Sequence, residues 1–291
     1  MHATQDHEAW VRCQPGSHWL VLDSPHSGTE YPPDFRSACP LPQLRCAEDT
    51  HVDALWDFAP ALGAALIAAR FPRTYIDANR ALDEIDPALL AEPWPGRLSG
   101  SSKVRLGKGL VWRMLDDGTP IYDRQLTVDE IEQRIRRCWA PYHSAVAGCL
   151  EAAHQRHGRV LLLDCHSMPA VAERHATEHP WLVHADVVLG DRDGSSADPR
   201  LTRWIERFFN SRGYTVSINH PYKGVELVRR HGQPAEQRHA IQLELNKRLY
   251  MNEDTLQRHA GYEPLRQCLQ ELVQALLSLD LERLLGRPLP A

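Results

Sequence analysis

The sequence predicts one α/β domain over residues 1–291, with a mixed, mostly parallel sheet flanked by helices. Three observations predict this class. Short apolar runs alternate with longer helical stretches, residues 159–164 are apolar almost without interruption, and no linker or repeat divides the chain. Since a strand covered on both faces has a continuous apolar sequence, residues 159–164 are expected at the centre of the sheet.

The first unit is predicted to be a strand at residues 18–24, a helix from Asp49 through Ala69 and a strand at residues 74–78. Residues 81–120 are rich in Pro, Gly, Ser and charge, which predicts a long loop excursion of the kind that often covers an active site.

A capping box at residues 127–130 is expected to begin a long helix, with a kink or break at Pro141 and an end at Gly158. Further strands are expected at residues 186–189, 214–218 and 239–245. Helices are expected at residues 198–213 and from 252 to about 285.

Composition excludes several classes of function. A net charge of −5 and a pI near 6.3 provide no basic field for nucleic acid. The N-terminal residues lack a signal pattern, and the longest apolar run, residues 62–69, is too short to span a membrane. Seven scattered cysteines without a C-x-x-C pair indicate reduced thiols. We therefore expect a cytoplasmic protein without nucleic-acid or membrane partners.

Polar residues that follow apolar strands are the first candidates for chemistry, because ligands of open α/β sheets bind at the carboxyl ends of the strands. His26 and His166 each follow such a run, and Glu244 lies inside another. Two histidines, one acid and a water form a known catalytic zinc site. Asp49 is the preferred third ligand, with an ordinary helix N-cap as its alternative role; Asp53, His51 and Glu30 are weaker candidates.

Glu244 is a candidate general base, and an ion pair with Arg248 or Arg238 is its structural alternative. Asp164 is expected on the opposite side of its strand from His166, with a backbone carbonyl orienting the imidazole instead. Four residues are candidates for binding substrate carboxylates, with a surface position or a solvated charge run as the alternative. They are Asn79, Arg80, Lys223 and Arg229.

Seven stretches together resemble the N-formylglutamate amidohydrolases, a family similar in fold to zinc carboxypeptidases. They are LDSPHSGTEYP, EDTHVDALWDFAPALGA, RTYIDANR, WAPYH, LLLDCHSMP, YKGVELVRRHG and HAIQLELNKRLYM, in the order of the family. EDTHVD and KGVELVRRHG differ from the forms typical of members that act in histidine degradation. These differences bear on the substrate and leave the chemistry intact.

The resemblance implies that His26, Asp49 and His166 bind one zinc ion, that Glu244 is the catalytic carboxylate, and that Asn79 and Arg80 hold a substrate carboxylate. It implies hydrolysis of an N-formyl amino acid, most simply N-formyl-L-glutamate, to formate and the free amino acid. The alternatives are a deacylase or carboxypeptidase-like hydrolase of another N-acyl amino acid, and a non-catalytic carboxylate-binding protein.

Overall fold

The computed structural model describes residues 10–172 and 180–285, through which one seven-stranded sheet runs. Its strands are β1 (Val11–Gln14), β2 (Leu20–Ser24), β3 (Ala65–Ala69), β4 (Val160–Met168), β5 (Val187–Gly190), β6 (Val216–Ile218) and β7 (Arg238–Asn246). Their order across the sheet is β1-β3-β2-β4-β7-β5-β6. The predicted domain limits, residues 1 and 291, lie outside the described residues.

The mixed, mostly parallel sheet is confirmed. β3, β2, β4 and β7 run parallel to one another, whereas β1 pairs antiparallel with β3 and β5 pairs antiparallel with β7. β4 lies at the centre with all nine residues buried, as its uninterrupted apolar sequence predicts. The strands expected at residues 186–189, 214–218 and 239–245 correspond to β5, β6 and β7.

Helices cover both faces of this sheet. They are α1 (Leu41–Arg45), α2 (Val52–Leu55), α3 (Ser102–Arg105), α4 (Val128–Arg134), α5 (Ala140–His157), α6 (Pro199–Asn210), α7 (Glu226–His231), α8 (Tyr262–Leu277) and α9 (Leu281–Leu285). One core packs α2, α6 and α8 against side chains such as Leu22 and Leu163, and the other packs α4 and α5 against Val21 and Leu162. Each of these fully buried aliphatic side chains stabilises the fold by about 1.5–3 kcal/mol.

The predicted helix from Asp49 through Ala69 is wrong, and so is the strand at residues 74–78. The helix α2 is a single turn, and Gly63, with a φ of +90°, turns the chain into strand β3. β3 is buried on both faces, so its sequence ALIAA carries no period that separates strand from helix. Residues 74–78 form turns instead, in which the Tyr75 amide donates to the Pro72 carbonyl.

The capping box is confirmed, because Thr127 and Glu130 each accept a hydrogen bond from the other's backbone N–H. The helical residues run without a gap from Val128 to His157, with a π-helical segment, Ile135–Trp139, between α4 and α5. The predicted break at Pro141 is therefore wrong, and the irregular segment lies just before the proline. Gly158, at a φ of 66°, ends α5 as predicted.

The expected continuous helix from Asn252 is also wrong. The Asn252 side chain accepts hydrogen bonds from the Asp254 and Thr255 amides, a local turn that competes with helix, so α8 begins only at Tyr262. Among the described residues, no helix is both long and apolar enough to cross a membrane.

Candidate metal centre and active site

Two histidines and one aspartate meet at the carboxyl ends of β2 and β4, adjacent parallel strands. His26 follows β2, His166 lies near the end of β4, and Asp49 precedes α2. All three side chains are almost fully buried. Because parallel strands carry their ends to one edge of the sheet, residues that are distant in the chain become neighbours.

The donor atoms of this triad converge on a small volume. Asp49 Oδ2 lies 3.0 Å from His166 Nδ1 and 3.4 Å from His26 Nδ1, and one donor atom from each residue lies within 4.8 Å of the other two. His26 Nδ1 is buried without a hydrogen-bond partner among the residues the structure describes. Two imidazole nitrogens and a carboxylate oxygen are a donor set that could hold a divalent metal ion, and a ligand role would give the unpaired nitrogen a partner.

Each imidazole is held from behind by a second carboxylate. Asp77 Oδ1 lies 2.7 Å from His26 Nε2, and Asp164 Oδ1 lies 2.7 Å from His166 Nε2. When Nε2 donates its proton to the carboxylate, the Nδ1 lone pair is free to point into the centre. This carboxylate–histidine arrangement is the one that orients metal-binding imidazoles.

The expectation that Asp164 and His166 lie on opposite sides of the strand is wrong. Side chains alternate along a strand, so residues two positions apart share a face. A carboxylate, not a backbone carbonyl, therefore orients the imidazole of His166. Asp77 was missed as the corresponding partner of His26, because the two residues are 51 positions apart and only the fold brings them together.

Electrostatics in the centre favour a positive charge. Burial opposes charge on His166, but Asp164 and Asp49 outweigh it and raise the pKa of this imidazole well above its usual value. Burial likewise raises the pKa of Asp49, but His166, His26 and the nearby Arg73 outweigh it and lower the pKa below its usual value. A buried site that stabilises both an imidazolium and a carboxylate is suited to a cation.

Among the candidates for the third ligand, Asp49 is the one that faces both histidines. Asp53 pairs with Arg12 at 3.1 Å, and Glu30 pairs with Arg70 on the surface. The Nε2 of His51 lies 3.0 Å from the Leu256 carbonyl oxygen and donates to it. That histidine, not Asp49, occupies the N-cap position of α2, so the capping alternative for Asp49 is not supported.

Glu244 stands beside this centre on β7. It is the register partner of His166 on the adjacent parallel strand, so both side chains point to the same face. Gln242 donates a hydrogen bond to Glu244 Oε1 at 2.8 Å. Burial is the main cause that raises the pKa of Glu244 to about 7, with the charge of Asp49 adding to it and that of His166 opposing it.

Neither ion pair considered as the alternative role of Glu244 forms. Arg248 pairs with Asp186 at 2.8 Å, and Arg238 pairs with Glu151 at 2.7 Å. The buried carboxyl is therefore left beside the centre without a direct cationic partner in the described part of the chain, which fits a functional role better than a structural one.

Asn79 lies at the centre, but its amide is engaged by protein groups. It donates to Asp164 Oδ2 at 3.1 Å, and its oxygen accepts the Leu227 amide N–H at 2.9 Å. These contacts indicate that Asn79 positions Asp164 and α7; its contact with substrate stays a prediction.

Arg80 is 4% exposed, so the alternative of a surface arginine is wrong. Its Nε and Nη1 donate to the backbone carbonyls of Lys108 and Asn79, and its Nη2 lies 3.8 Å from Asp77 Oδ2. These contacts fix the guanidinium beside the carboxylate that holds His26. Binding of a substrate carboxylate by Arg80 stays a prediction.

Lys223 and Arg229 lie on the surface, where Lys223 pairs with Asp193 and Arg229 pairs with Glu226. More than half of each side chain is exposed, and no described contact joins either residue to the centre. This placement corresponds to the alternative of solvated charges. The role of Lys223 and Arg229 in binding substrate stays a prediction.

Sequence reasoning missed Arg73 and Trp112. The guanidinium of Arg73 lies 3.5 Å from Asp49 and 3.4 Å from Asp77, and it stacks 4.8 Å above the indole of Trp112. The indole in turn donates to Asp77 at 3.1 Å. The available signal in the sequence was that Arg73 begins the stretch RTYIDANR and lies four residues before Asp77.

Comparison with known proteins gives one consistent result. The model of the N-formylglutamate amidohydrolase family matches residues 19–251. N-formylglutamate deformylases of Pseudomonas aeruginosa and Pseudomonas putida are each 31% identical to this chain, with 91% of it and 94% of each relative covered.

Solved structures agree with this match. N-formylglutamate amidohydrolase from Ralstonia eutropha JMP134 is 46% identical, with a TM-score of 0.86 over 92% of this chain and 97% of that one. A gene product of Agrobacterium tumefaciens, at 18% identity and a TM-score of 0.67, covers 92% of this chain and 95% of its own and shares the fold. The chain therefore belongs to the N-formylglutamate amidohydrolase family.

Proposed function

We propose that this protein hydrolyses the formamide of N-formyl-L-glutamate to formate and L-glutamate, with one divalent ion, zinc, held by His26, Asp49 and His166. The observation that carries the proposal is the convergence of two imidazole nitrogens and a carboxylate oxygen beside a buried glutamate. The names of the relatives supply the substrate, because they are N-formylglutamate deformylases and amidohydrolases.

The donor set supports zinc, since three protein ligands leave a coordination position open for catalysis. When bound, the ion polarises a carbonyl oxygen as a Lewis acid and lowers the pKa of a coordinated water towards about 7. Asp77 and Asp164 keep Nδ1 of each imidazole directed at this position through their 2.7 Å contacts with Nε2.

Glu244 is the proposed general base and acid. Its carboxylate takes a proton from the attacking water, whose oxygen bonds to the formyl carbon, and returns it to the amide nitrogen as the C–N bond breaks. A group with a pKa near 7 both gains and loses a proton readily at neutral pH, and the burial of Glu244 raises its pKa to about 7.

Arg80 is the proposed ligand of one substrate carboxylate, because its guanidinium is buried and already fixed by two carbonyl groups. The reducing cytoplasm is the proposed place of action, and the seven free cysteines support it. A role in histidine degradation remains part of the proposal and follows from the substrate.

Formate release from N-formyl amino acids, measured together with metal content, tests this function. We expect about one zinc per chain and fastest turnover with N-formyl-L-glutamate. A peptide or N-acetyl-L-glutamate as the better substrate would point to one of the alternative hydrolases, and zinc-loaded protein that releases no formate from any member of the panel would contradict the proposal.

Glu244→Gln is the variant that tests the general base. We expect it to keep the ion and to lose activity by a factor of about 10²–10⁴. Glu253→Gln is the matched control, because Glu253 accepts one backbone N–H from Ala170, and glutamine can accept it as well. Retention of native activity in Glu244→Gln would remove Glu244 from this role.

A further inference from the structure

Lys103 is a half-buried cation in the loop excursion, on the short helix α3. Its amine makes no hydrogen bond and no salt bridge within residues 10–172 and 180–285. Buried cations normally pair with a carboxylate, so a lysine without one suggests a site where an anionic ligand supplies the partner.

A chain of backbone contacts connects α3 to the centre. The Lys103 carbonyl accepts the Lys108 N–H at 2.8 Å, and the Lys108 carbonyl accepts Arg80 Nε at 3.1 Å. Arg80 in turn lies beside Asp77, the carboxylate that holds His26. Lys103 is therefore attached, through two hydrogen bonds, to the arginine proposed to bind substrate.

The backbone around Lys103 is held in place. Ser101 caps α3 by accepting the Val104 N–H at 3.3 Å, and Val104 is buried. Gly109, which follows, packs so closely on the Glu84 carbonyl oxygen that a Cβ would collide with it. This close approach, together with the hydrogen bond from Leu110 N–H to the same carbonyl, fixes the excursion against residues 77–84.

The cations around Lys103 already have partners. Arg73 lies within 3.5 Å of Asp49 and Asp77, Arg80 contacts Asp77 and two carbonyl groups, and Lys108 pairs with Asp116. Burial, together with the positive charges of Arg80 and Arg73, outweighs the opposing negative charges of Asp77 and Glu244 and lowers the pKa of Lys103 to about 8, so the amine remains mostly protonated at neutral pH. A carboxylate bound here relieves the repulsion between these cations.

We propose that Lys103 binds one of the two carboxylates of the substrate and thereby sets the preference for a dicarboxylic N-formyl amino acid. The inference rests on the proposed function and adds a recognition residue to it. N-formyl-L-glutamate carries two carboxylates besides the formamide, and the single guanidinium of Arg80 can hold only one of them. Lys103, whose amine has no partner among the described residues, is the cation that we assign to the other.

Lys103→Met tests this role, because methionine keeps most of the side-chain volume and removes the charge. We expect kcat/KM for N-formyl-L-glutamate to fall about 10- to 100-fold, mainly through KM, since a hydrogen bond to a charged group that does not react is lost. Lys103→Arg should restore part of this loss. Arg105→Met is the matched control, because Arg105 lies on the same helix and is exposed.

Two monoamide substrates show which of the two substrate carboxylates Lys103 binds. N-formyl-L-glutamine lacks the side-chain carboxylate, and the α-amide of N-formyl-L-glutamate lacks the other. We expect the loss caused by Lys103→Met to disappear with one of the two. Unchanged kinetics with N-formyl-L-glutamate, or an equal loss with both monoamides, would overturn the proposal.

Calorimetric titration with L-glutamate separates this inference from the proposed function, because L-glutamate carries both carboxylates and no formyl group. Weaker binding to the Lys103→Met variant than to the native chain and the Arg105→Met control supports Lys103 even if no formate is released. Equal binding to all three proteins contradicts it even if formate release is observed.

Discussion

Asp164→Asn tests whether a carboxylate behind each imidazole organises the candidate metal centre. Asp164 accepts from His166 Nε2 at 2.7 Å through one oxygen and from the Asn79 amide at 3.1 Å through the other. Asparagine has one oxygen and one NH₂ group in the same shape. Either the His166 Nε2–H or the Asn79 NH₂ group must then face the NH₂ group of the introduced asparagine. His166 also loses the negative charge that fixes its tautomer.

The expected magnitude follows from this loss. Replacing a carboxylate that orients a metal-binding histidine costs about 10- to 100-fold in metal affinity, which corresponds to about 1.4–2.8 kcal/mol of binding free energy. Competition between the apo-protein and a chromophoric zinc chelator measures the affinity. Thermal unfolding of the metal-free variant shows whether the fold is intact.

Asp23→Asn is the matched control, because Asp23 is the register partner of Asp164 on β2 and is equally buried. Burial and the charge of Asp164 raise the pKa of Asp23 well above its usual value, and its carboxyl accepts a hydrogen bond from the Tyr142 hydroxyl. Asparagine keeps an oxygen that can accept this bond, and Asp23 makes no hydrogen bond to His26 or His166 among the described residues, so we expect unchanged metal affinity. Native-like affinity in Asp164→Asn, or an equal loss in both variants, would refute the reasoning.

Three further predictions concern substrate, metal and acid. Arg80→Ala should raise KM for N-formyl-L-glutamate about 10- to 100-fold with the metal still bound; a variant that loses zinc but binds substrate normally contradicts this assignment. Chelation should lower the free energy of unfolding by about 2.7 kcal/mol relative to protein in free zinc at about 100 times its Kd, as denaturant titration can measure. Burial lowers the pKa of His143 to about 3, whereas the unfolded chain titrates near about 6.5. The unfolded state therefore takes up the proton first, so the free energy of unfolding should fall as the pH drops below about 6.5, by about 2 kcal/mol at about pH 5. Urea unfolding at several pH values should show that His143→Gln loses this part of the pH dependence. An unchanged pH dependence would contradict the assignment.

Local sequence was sufficient to locate the two histidines and the strands β2, β4 and β7. β2 and β4 are apolar runs that end in polar residues, and parallel strands carry their ends to one edge, so His26 and His166 could be expected to meet. Glu244 was identifiable because a carboxylate in an apolar strand requires a reason. The capping box and the glycine at the end of α5 are likewise local signals.

Tertiary structure alone decided what surrounds the triad. The sequence of β3 has no period that separates strand from helix, because the strand is buried on both faces. These residues were therefore predicted as part of a helix. Asp77, Arg73 and Trp112 reach the centre from turns and a loop excursion whose course depends on packing and on backbone hydrogen bonds between distant residues. Sequence by itself determined which polar side chains end or interrupt the buried strands, because strand burial and polarity are local properties. The partners that orient and neutralise these side chains depend on contacts between distant segments, which exist only after folding.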